Sequence, residues 1–326
     1  MKIEVTMKKY IIIILTLFLI SCQENIKEKR SLFSWNSKDI VNEDSQLFSI
    51  MKQYSINTLY QSFGKDNYEY FFKQCQQKNI QVYDLCGDKK FALKKNYQAL
   101  ENEINESLSL KKTYPLLKGI VLDIEPYLLI DWKDNQNQIL QEFLDNLKKV
   151  YKICQDQHYT MIVCIPYYYD TLHHNNFLKT LIQSCCDGIA IMNYYKKDES
   201  QHIQYEVKLT KTYHKQCIVI YEMNKPYKDG ITEMNTYYHD GINKAIESFE
   251  KIKKDHGINM MMSFHDYHAL CDIDYNKQRG NDHAISYRLI VSMIFSPIWA
   301  WIFSPIWVVL NHPVRLSHPS FCMTDQ

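Results

Sequence analysis

The feature that most constrains this chain is a series of eight short apolar runs, separated by stretches of helical character. The runs are Leu32–Asn36, Ile56–Gly64, Ile80–Asp88, Gly119–Tyr127, Met161–Asp170, Gly188–Tyr195, Cys217–Asn224 and Asn259–Leu270. They are rich in Val, Ile, Leu and Met, as strands buried on both faces are. In Asn137–Gln155 and Tyr237–His256, apolar residues recur at three- and four-residue steps opposite charged ones, which predicts amphipathic helices.

Strands that alternate with helices predict parallel strands covered by helices, and eight such units close into a (β/α)8 barrel. We therefore predict an α/β fold, a single (β/α)8 TIM barrel over residues 31–275. An open, doubly wound sheet is the alternative. It would need a glycine-rich phosphate turn after the first strand, and Ser34–Lys38 contains no glycine.

The N-terminus has the pattern of a targeting segment. Two lysines precede an apolar run, Ile11–Ile20, which is too short for a mature transmembrane helix. The run ends in Leu19–Cys22, which resembles a bacterial lipobox, so residues 1–21 are predicted to be a lipoprotein signal peptide and Cys22 the lipidated residue. Residues 22–30 would form a polar tether, and the lipid would anchor the barrel to the extracytoplasmic face of the cell membrane. An ordinary signal peptide with an incidental cysteine is the alternative.

The C-terminal residues 276–326 differ in composition from the predicted barrel. The charge-free span Leu289–Leu310 is long enough to cross a membrane, but two prolines weaken that interpretation. Three interpretations stay open: a second membrane anchor, an interfacial hairpin or a non-native tail. None of them carries chemistry.

Composition argues against several classes of partner. Lys+Arg total 38 and Asp+Glu 37, a formal net charge of +1 without a basic stripe, so no nucleic-acid partner is predicted. Among the 10 cysteines, Cys164 and Cys217 lie within apolar runs, and Cys185 and Cys186 are neighbours. No C-x-x-C pair and no zinc-like spacing of Cys and His occurs. We predict no disulfide framework, no metal site and no cofactor.

The segment Lys118–Tyr127 carries the strongest functional signal. Side chains alternate along a strand, so Asp123 and Glu125 are expected on one face and Ile124 on the other. Pro126 cannot donate to a sheet ladder, so the strand should stop where the acids emerge. Two carboxylates in one partly dry place raise each other's pKa, so that a carboxylic acid stays protonated near neutral pH. The pair is therefore predicted to be catalytic.

Barrel enzymes place their active sites at the carboxyl ends of the strands, which identifies further candidates. The predicted substrate-binding residues are Trp35, Asn36, Asp84, Tyr127, Tyr167, Asn193, Tyr194, Tyr221 and His265. Glu222 directly follows a buried strand, where an acid without a role is costly. Aromatic rings, amides and acids with almost no Lys or Arg favour a neutral polyhydroxylated ligand. An anionic substrate would call for a cationic clamp, and none is predicted there.

These motifs resemble the (β/α)8 barrels of glycoside hydrolases in two ways. The large clan of retaining glycosidases has its acid/base glutamate at the end of the fourth strand, usually within Asn-Glu-Pro, and its nucleophile at the end of the seventh. Ile124-Glu125-Pro126 and Tyr221-Glu222-Met223 match those positions, with isoleucine in place of asparagine. This resemblance implies double displacement, with Glu125 as acid/base and Glu222 as nucleophile about 5–5.5 Å away.

The second resemblance is to the chitinase-like barrels of glycoside hydrolase family 18, whose fourth strand reads D-G-x-D-x-D-x-E. Lys118–Glu125 keeps the glycine and the last Asp and Glu, with lysine and valine in place of the first two acids. Met192-Asn193-Tyr194 matches the sixth-strand Met-x-Tyr motif of that family. The resemblance implies that Glu125 protonates the leaving oxygen while the acetamido group of the substrate attacks, held by Asp123 and Tyr194.

Both resemblances imply a glycoside hydrolase that acts on an extracellular or cell-wall polysaccharide, with Glu125 as general acid. They leave the nucleophile open. The departures at Lys118, Val121 and Ile124 support an alternative, a non-catalytic surface lipoprotein that binds a glycan or another partner on a degenerate barrel.

Overall fold

The computed structural model describes residues 30–41, 45–172, 176–228 and 230–277. Eight parallel strands close into a barrel, in which each strand pairs with its neighbours along the chain and β8 pairs with β1. They are β1 Arg30–Ser34, β2 Ile56–Gln61, β3 Gln81–Cys86, β4 Leu117–Leu122, β5 Thr160–Pro166, β6 Gly188–Met192, β7 Gln216–Glu222 and β8 Met261–His265. The predicted (β/α)8 barrel is confirmed, and the open sheet is excluded.

Helices follow the strands, as the alternating pattern predicts. They are α1 Lys38–Val41, α2 Leu47–Gln53, α3 Glu69–Gln77, α4 Tyr97–Thr113, α5 Trp132–Asp156, α6 Phe177–Ser184, α7 Glu199–His202, α8 Gln204–Tyr213 and α9 Ile242–His256. Residues 267–277 are also helical. Short 3₁₀ helices occupy Lys89–Ala92, Lys94–Asn96, Pro126–Leu128 and Tyr167–Thr171.

The two helices predicted from periodicity are present, with shifted ends. Helix α5 contains the whole of Asn137–Gln155 and buries the predicted apolar stripe against the barrel. Helix α9 begins at Ile242, five residues later than predicted, because the backbone N–H of Tyr237 donates to the carbonyl of Glu222 instead of opening a helix. Gly257 ends α9 with a positive φ of 59°, a conformation that glycine adopts without strain.

Two apolar layers hold the barrel together. Inward-facing side chains form one cluster inside the barrel: Phe33, Tyr60, Tyr83, Leu85, Val121, Ile162, Cys164, Ala190, Met192, Ile218 and Ile220. The alternate residues of the same strands pack outward against the helices in a larger cluster. The strands are therefore buried on both faces, which explains their near-continuous apolar sequence.

Strand β4 ends earlier than predicted. The last strand residue is Leu122, and Pro126–Leu128 forms a 3₁₀ turn rather than the end of a strand that reaches Tyr127. The backbone N–H of Asp123 still donates to the carbonyl of Cys86, at 2.9 Å, so Asp123 prolongs the pairing with β3 by one residue. Glu125 therefore lies on the connecting segment just beyond the strand.

Several predictions fall outside the described residues. These are the signal peptide, the lipidation of Cys22 and the nature of the C-terminal tail. Within the described ranges, no helix is both long and apolar enough to cross a membrane. Contacts divide the chain into two compact units, Met1–Ile273 and Asp274–Gln326, and all eight strands belong to the first. The eight described cysteines are free thiols.

Candidate active site

The mouth of the barrel collects acids and rings from five strand ends. Because side chains alternate, Asp123 continues the inward row of Val121, and Glu222 continues the inward row of Ile220. Trp35 and Tyr194 pack against the interior cluster from β1 and β6, and His265 ends β8. These groups are half-buried at the mouth, except Glu222, which is buried.

Asp123 is the most unusual carboxyl group at the mouth. Its Oδ1 atom is buried, and no described residue forms a hydrogen bond with it. Burial, together with the negative charge of Glu125, raises the pKa of Asp123 from 3.8 to about 7. The charge of His265 and a contact from the Cys164 thiol act in the opposite direction without cancelling the increase. The charge of Glu125 thus helps Asp123 to keep its proton to a higher pH than an ordinary aspartate.

Glu125 begins the 3₁₀ turn that follows β4, and its carbonyl accepts the backbone N–H of Leu128 at 3.0 Å. The Tyr127 hydroxyl donates a hydrogen bond to Glu125 Oε1. The Tyr127 ring contacts Tyr168 and Tyr169 edge-on, with centroids 6.0 and 6.5 Å away. These rings and the hydrogen bond fix the position of Glu125 on the β4–β5 side of the mouth.

Glu222 lies in a different environment, in which both carboxylate oxygens accept hydrogen bonds. The backbone N–H and the side-chain amide of Asn224 both donate to Oε1, each at 2.8 Å. Oε2 lies 3.0 Å from Nδ1 of His265. Burial alone would raise the pKa of Glu222, but the charge of His265 and these hydrogen bonds outweigh it and lower the pKa. Glu222 is therefore ionised near neutral pH.

His265 receives opposing influences from its two neighbours. Although burial acts in the other direction, the hydrogen bond and the charge of Glu222 raise the pKa of His265 to about 9. The indole N–H of Trp35 lies 3.2 Å from His265 Nε2, and only an unprotonated Nε2 can accept it. The protonated His265 ring forms an ion pair with Glu222. The neutral ring can also accept the indole N–H of Trp35 at Nε2.

Tyr194 lies within the electrostatic influence of both acidic regions. Burial raises its pKa well above 10.0, and the charges of Glu222 and Asp123 raise it further. Its ring centroid is 6.2 Å from that of His265. Its hydroxyl is therefore a neutral donor within the mouth.

Five predicted substrate-binding residues make no described side-chain contact with the acids of the mouth, and two of them face away from it. Asp84 and Tyr221 face the helix layer, since Asp84 interacts with Ser107 of α4 and the Tyr221 hydroxyl donates to Ser248 of α9. The side-chain amide of Asn193 donates to the carbonyl of Glu199 at 3.1 Å. Asn36 Oδ1 accepts the backbone N–H of Lys38 at 3.0 Å, and the Tyr167 ring stacks on His202, with centroids 4.7 Å apart.

Two further residues lie at the mouth or inside the barrel below it. Asn224, at the end of the seventh predicted run, binds Glu222 through two donors. The Tyr60 hydroxyl is buried inside the barrel without a hydrogen bond from the described residues. No periodic signal distinguishes Tyr60 from a packing tyrosine. Among the described residues, no group of three or more His, Cys, Asp or Glu side chains is arranged to hold a metal ion.

No family model matches the chain, and no curated protein matches its sequence. Solved structures do match its fold. The spore cortex-lytic enzyme SleL of Bacillus megaterium QM B1551 matches with a TM-score of 0.51 at 11% identity, over 76% of this chain and 74% of that one. A beta-glucuronidase of Bacteroides uniformis matches with a TM-score of 0.52 at 10% identity, over 74% of this chain and 30% of that one. The chain therefore has the (β/α)8 fold that glycoside hydrolases use, as the motif resemblance implied.

Proposed function

We propose that this barrel is a glycoside hydrolase that cleaves 2-acetamido glycans of an extracellular or cell-wall polysaccharide, with Glu125 as general acid. The observation that carries the proposal is the pair formed by Asp123 and Glu125. A buried carboxyl oxygen without a partner among the described residues lies beside a second carboxyl group at the barrel mouth. Perturbed acids in such a position are typical of acid–base sites.

In this mechanism Glu125 donates a proton to the leaving oxygen as the bond between that oxygen and C1 breaks. The acetamido carbonyl oxygen of the substrate bonds to C1, and the Asp123 carboxylate accepts the acetamido N–H. Tyr194 donates its hydroxyl to the acetamido group from the β6 side. Water then attacks C1, displaces the acetamido oxygen and returns a proton to Glu125.

The hydrogen bonds of Glu222 support a positioning role for it rather than that of nucleophile. Both of its oxygens already accept hydrogen bonds, from Asn224 and from His265, and its side chain is only 4% exposed. An attack on C1 would require one of these oxygens to give up its donors in a buried environment.

The test compares two aryl glycosides that differ only at C2, an aryl chitobioside and an aryl cellobioside. The full-length protein should hydrolyse the first and leave the second nearly untouched, because only the first carries the acetamido nucleophile. Glu125→Gln should abolish most of this turnover, whereas Glu106→Gln, at an exposed position on α4, should not. Equal hydrolysis of both glycosides would show that the acetamido group takes no part.

One observation favours the rival function, a barrel that binds glycans without cutting them. The Tyr127 hydroxyl occupies one oxygen of Glu125, the atom that a general acid must present to its substrate. If neither glycoside is cut, and chitin, peptidoglycan and glucans are bound but not degraded, the binding function replaces the proposed one. Tyr127→Phe should then fail to produce any turnover.

A further inference from the structure

A cavity of about 700 Å³ opens beside the candidate active site, between the loops that follow β3 and β4. Its lining includes Lys89, Lys90, Lys94, Lys95, Leu129 and Ile130, and we call it the lysine groove. Its volume is in the range of small-molecule and oligosaccharide sites. The groove is distinct from the mouth, because none of the acids of the mouth lines it.

The groove carries unbalanced positive charge. In the part of the chain that the structure describes, no carboxylate pairs with any of its four lysine side chains. Two acids, Asp131 and Glu142, also line the groove. Glu142 is already occupied, since Oε2 accepts the backbone N–H of Lys94 and Oε1 accepts the amide of Gln138, both at 2.8 Å. Four lysines and two acids therefore line the groove, and its formal charge is positive.

The other component of the groove is apolar and exposed. Ile130 is 98% exposed and the nearby Leu128 is 51% exposed, on the segment that links the Glu125 turn to α5. A ligand that neutralises the lysines and covers these side chains would remove unfavourable exposed surface. Sugar rings with acidic substituents have both properties, because their C–H faces pack on apolar side chains and their carboxylates pair with lysine.

The groove and the site are carried by neighbouring segments at the rim of the barrel. Ile130 is five residues beyond Glu125, at most ~18 Å even for an extended chain. The loop after β3 also touches the site directly: a Cβ atom at Gly87 would lie 2.0 Å from the carbonyl oxygen of Asp123. A chain cut at Glu125 could thus continue into the groove.

We propose that the lysine groove binds the continuation of the glycan substrate and selects chains that carry carboxylates. The proposal rests on the proposed function for the substrate chain. It also changes one expectation from the sequence, since no cationic clamp was predicted at the mouth. The prediction considered only residues at strand ends. The four lysines were not included because they belong to Asp88–Asn96, a loop beyond the third strand.

An anionic membrane surface is a different partner that four lysines and an exposed isoleucine could fit. The position of the groove argues against it. Arg30 opens β1 at the amino end of the barrel, opposite the mouth and the groove. A lipid on Cys22, as predicted, would therefore hold the barrel by the end that lies away from the groove.

The experiment measures binding in the Glu125→Gln background, so that substrate is not consumed. The probes are an oligomer of N-acetylglucosamine and an oligomer of the same length in which alternate rings carry a 3-O-lactyl carboxylate. The carboxylated oligomer should bind about tenfold more tightly at low salt, and the difference should shrink as salt is added, because several exposed ion pairs each contribute little and are screened.

The decisive variant replaces Lys89, Lys90, Lys94 and Lys95 by Gln. Its matched control replaces four exposed lysines of α8 and α9 by Gln, Lys208, Lys211, Lys251 and Lys254, for the same change in net charge. The first variant should lose the preference for the carboxylated oligomer and keep its affinity for the plain one. The control should keep both.

If both variants lose the preference for the carboxylated oligomer equally, the proposed role of the lysine groove is wrong, because the net charge of the protein would then explain the preference. So would equal binding of the two oligomers by the parent protein. Vesicles of phosphatidylglycerol and of phosphatidylcholine test the rival partner, and lysine-dependent binding to the first alone would assign the groove to a membrane. If the preference exists but neither oligomer is ever cut, the proposed function fails and the groove stands.

Discussion

The two acidic regions of the barrel mouth differ in how their carboxylates are stabilised. On the β4 side, Asp123 has a buried oxygen without a partner among the described residues, and its pKa is raised to about 7. On the β7 side, Glu222 accepts hydrogen bonds on both oxygens, and its pKa is lowered. Both acids lie at strand ends and both are buried from water to a large degree. Neighbouring charges and hydrogen-bond donors, rather than burial, therefore separate an acid that holds a proton from one that has lost it.

The two acids also have opposite effects on the stability of the folded protein. A carboxylate that accepts three donors stabilises the folded protein, whereas a buried acid without partners destabilises it once ionised. Functional sites often retain such destabilising groups. The contrast thus predicts opposite effects of removing the charge at the two positions, on activity and on stability.

The largest expected effect is on turnover. Asp123→Asn should lower kcat on an aryl chitobioside by about 10²–10³-fold, the usual contribution of a group that stabilises the charge developing on the acetamido group in the transition state. Glu222→Gln should change kcat by less than about tenfold, because Glu222 acts through His265 and not on the substrate. If Glu222→Gln is the more damaging change and external azide restores activity to Glu222→Ala, Glu222 is the nucleophile and the assignment of roles is reversed.

The second effect is a loss of stability on the β7 side. Glu222→Gln should lower the free energy of unfolding near pH 6 by about 1.5–3 kcal/mol, as expected for hydrogen bonds to charged groups. The contribution of Glu222 is present above its ordinary pKa of 4.5 and is lost at lower pH, because its folded-state pKa is lowered. That of His265 is present below 6.5 and is lost as the pH rises through about 9, because its folded-state pKa is raised.

Denaturant unfolding over this pH range checks the prediction. The difference between the parent protein and Glu222→Gln should be greatest near pH 6 and should shrink in both more acidic and more alkaline buffers. The exposed control Glu106→Gln should change stability by less than ~0.5 kcal/mol throughout. A difference that does not vary with pH would indicate a packing role for Glu222 rather than an ion pair.

The third effect has the opposite sign and lies on the β4 side. The pKa of Asp123 is raised from 3.8 to about 7, so the folded protein loses stability as the pH rises between these values. Asp123→Asn removes that loss, and the variant should be about 1–2 kcal/mol more stable than the parent near pH 8, since each pKa unit corresponds to about 1.4 kcal/mol and solvent screens part of the effect at a half-buried residue. Near pH 4 the two proteins should unfold alike, and lower stability of the variant near pH 8 would contradict the raised pKa.

Features of the fold and the site that local sequence patterns encode could be predicted, whereas contacts between distant segments could not. The barrel follows from apolar runs and helical periods, which are local patterns. The pairing of Asp123 with Glu125 follows from two positions on one segment. Asp84 and Tyr221 were predicted at the mouth but face the helices, because strand-end proximity does not reveal which of two alternating faces a residue occupies. The network of Glu222 and His265 joins β7 to β8, and no pattern within one segment encodes such a contact.

The smallest expected effect concerns Trp35, which tests the boundary between the two regions. Its indole N–H lies 3.2 Å from His265 Nε2 and stabilises the neutral ring, whereas Glu222 stabilises the charged one. Trp35→Phe keeps an aromatic ring but removes this donor, so the pKa of His265 should rise above its value of about 9. A neutral hydrogen bond contributes about 1 kcal/mol, so the change in the pKa of His265 should be modest.

Nitrogen NMR of the histidine rings measures this pKa directly, with His265 assigned by the signal that is lost in His265→Gln. A lower pKa in Trp35→Phe would mean that the indole does not donate to Nε2, and that Trp35 is held at the mouth by packing on Phe33 alone, whose ring centroid is 6.5 Å away.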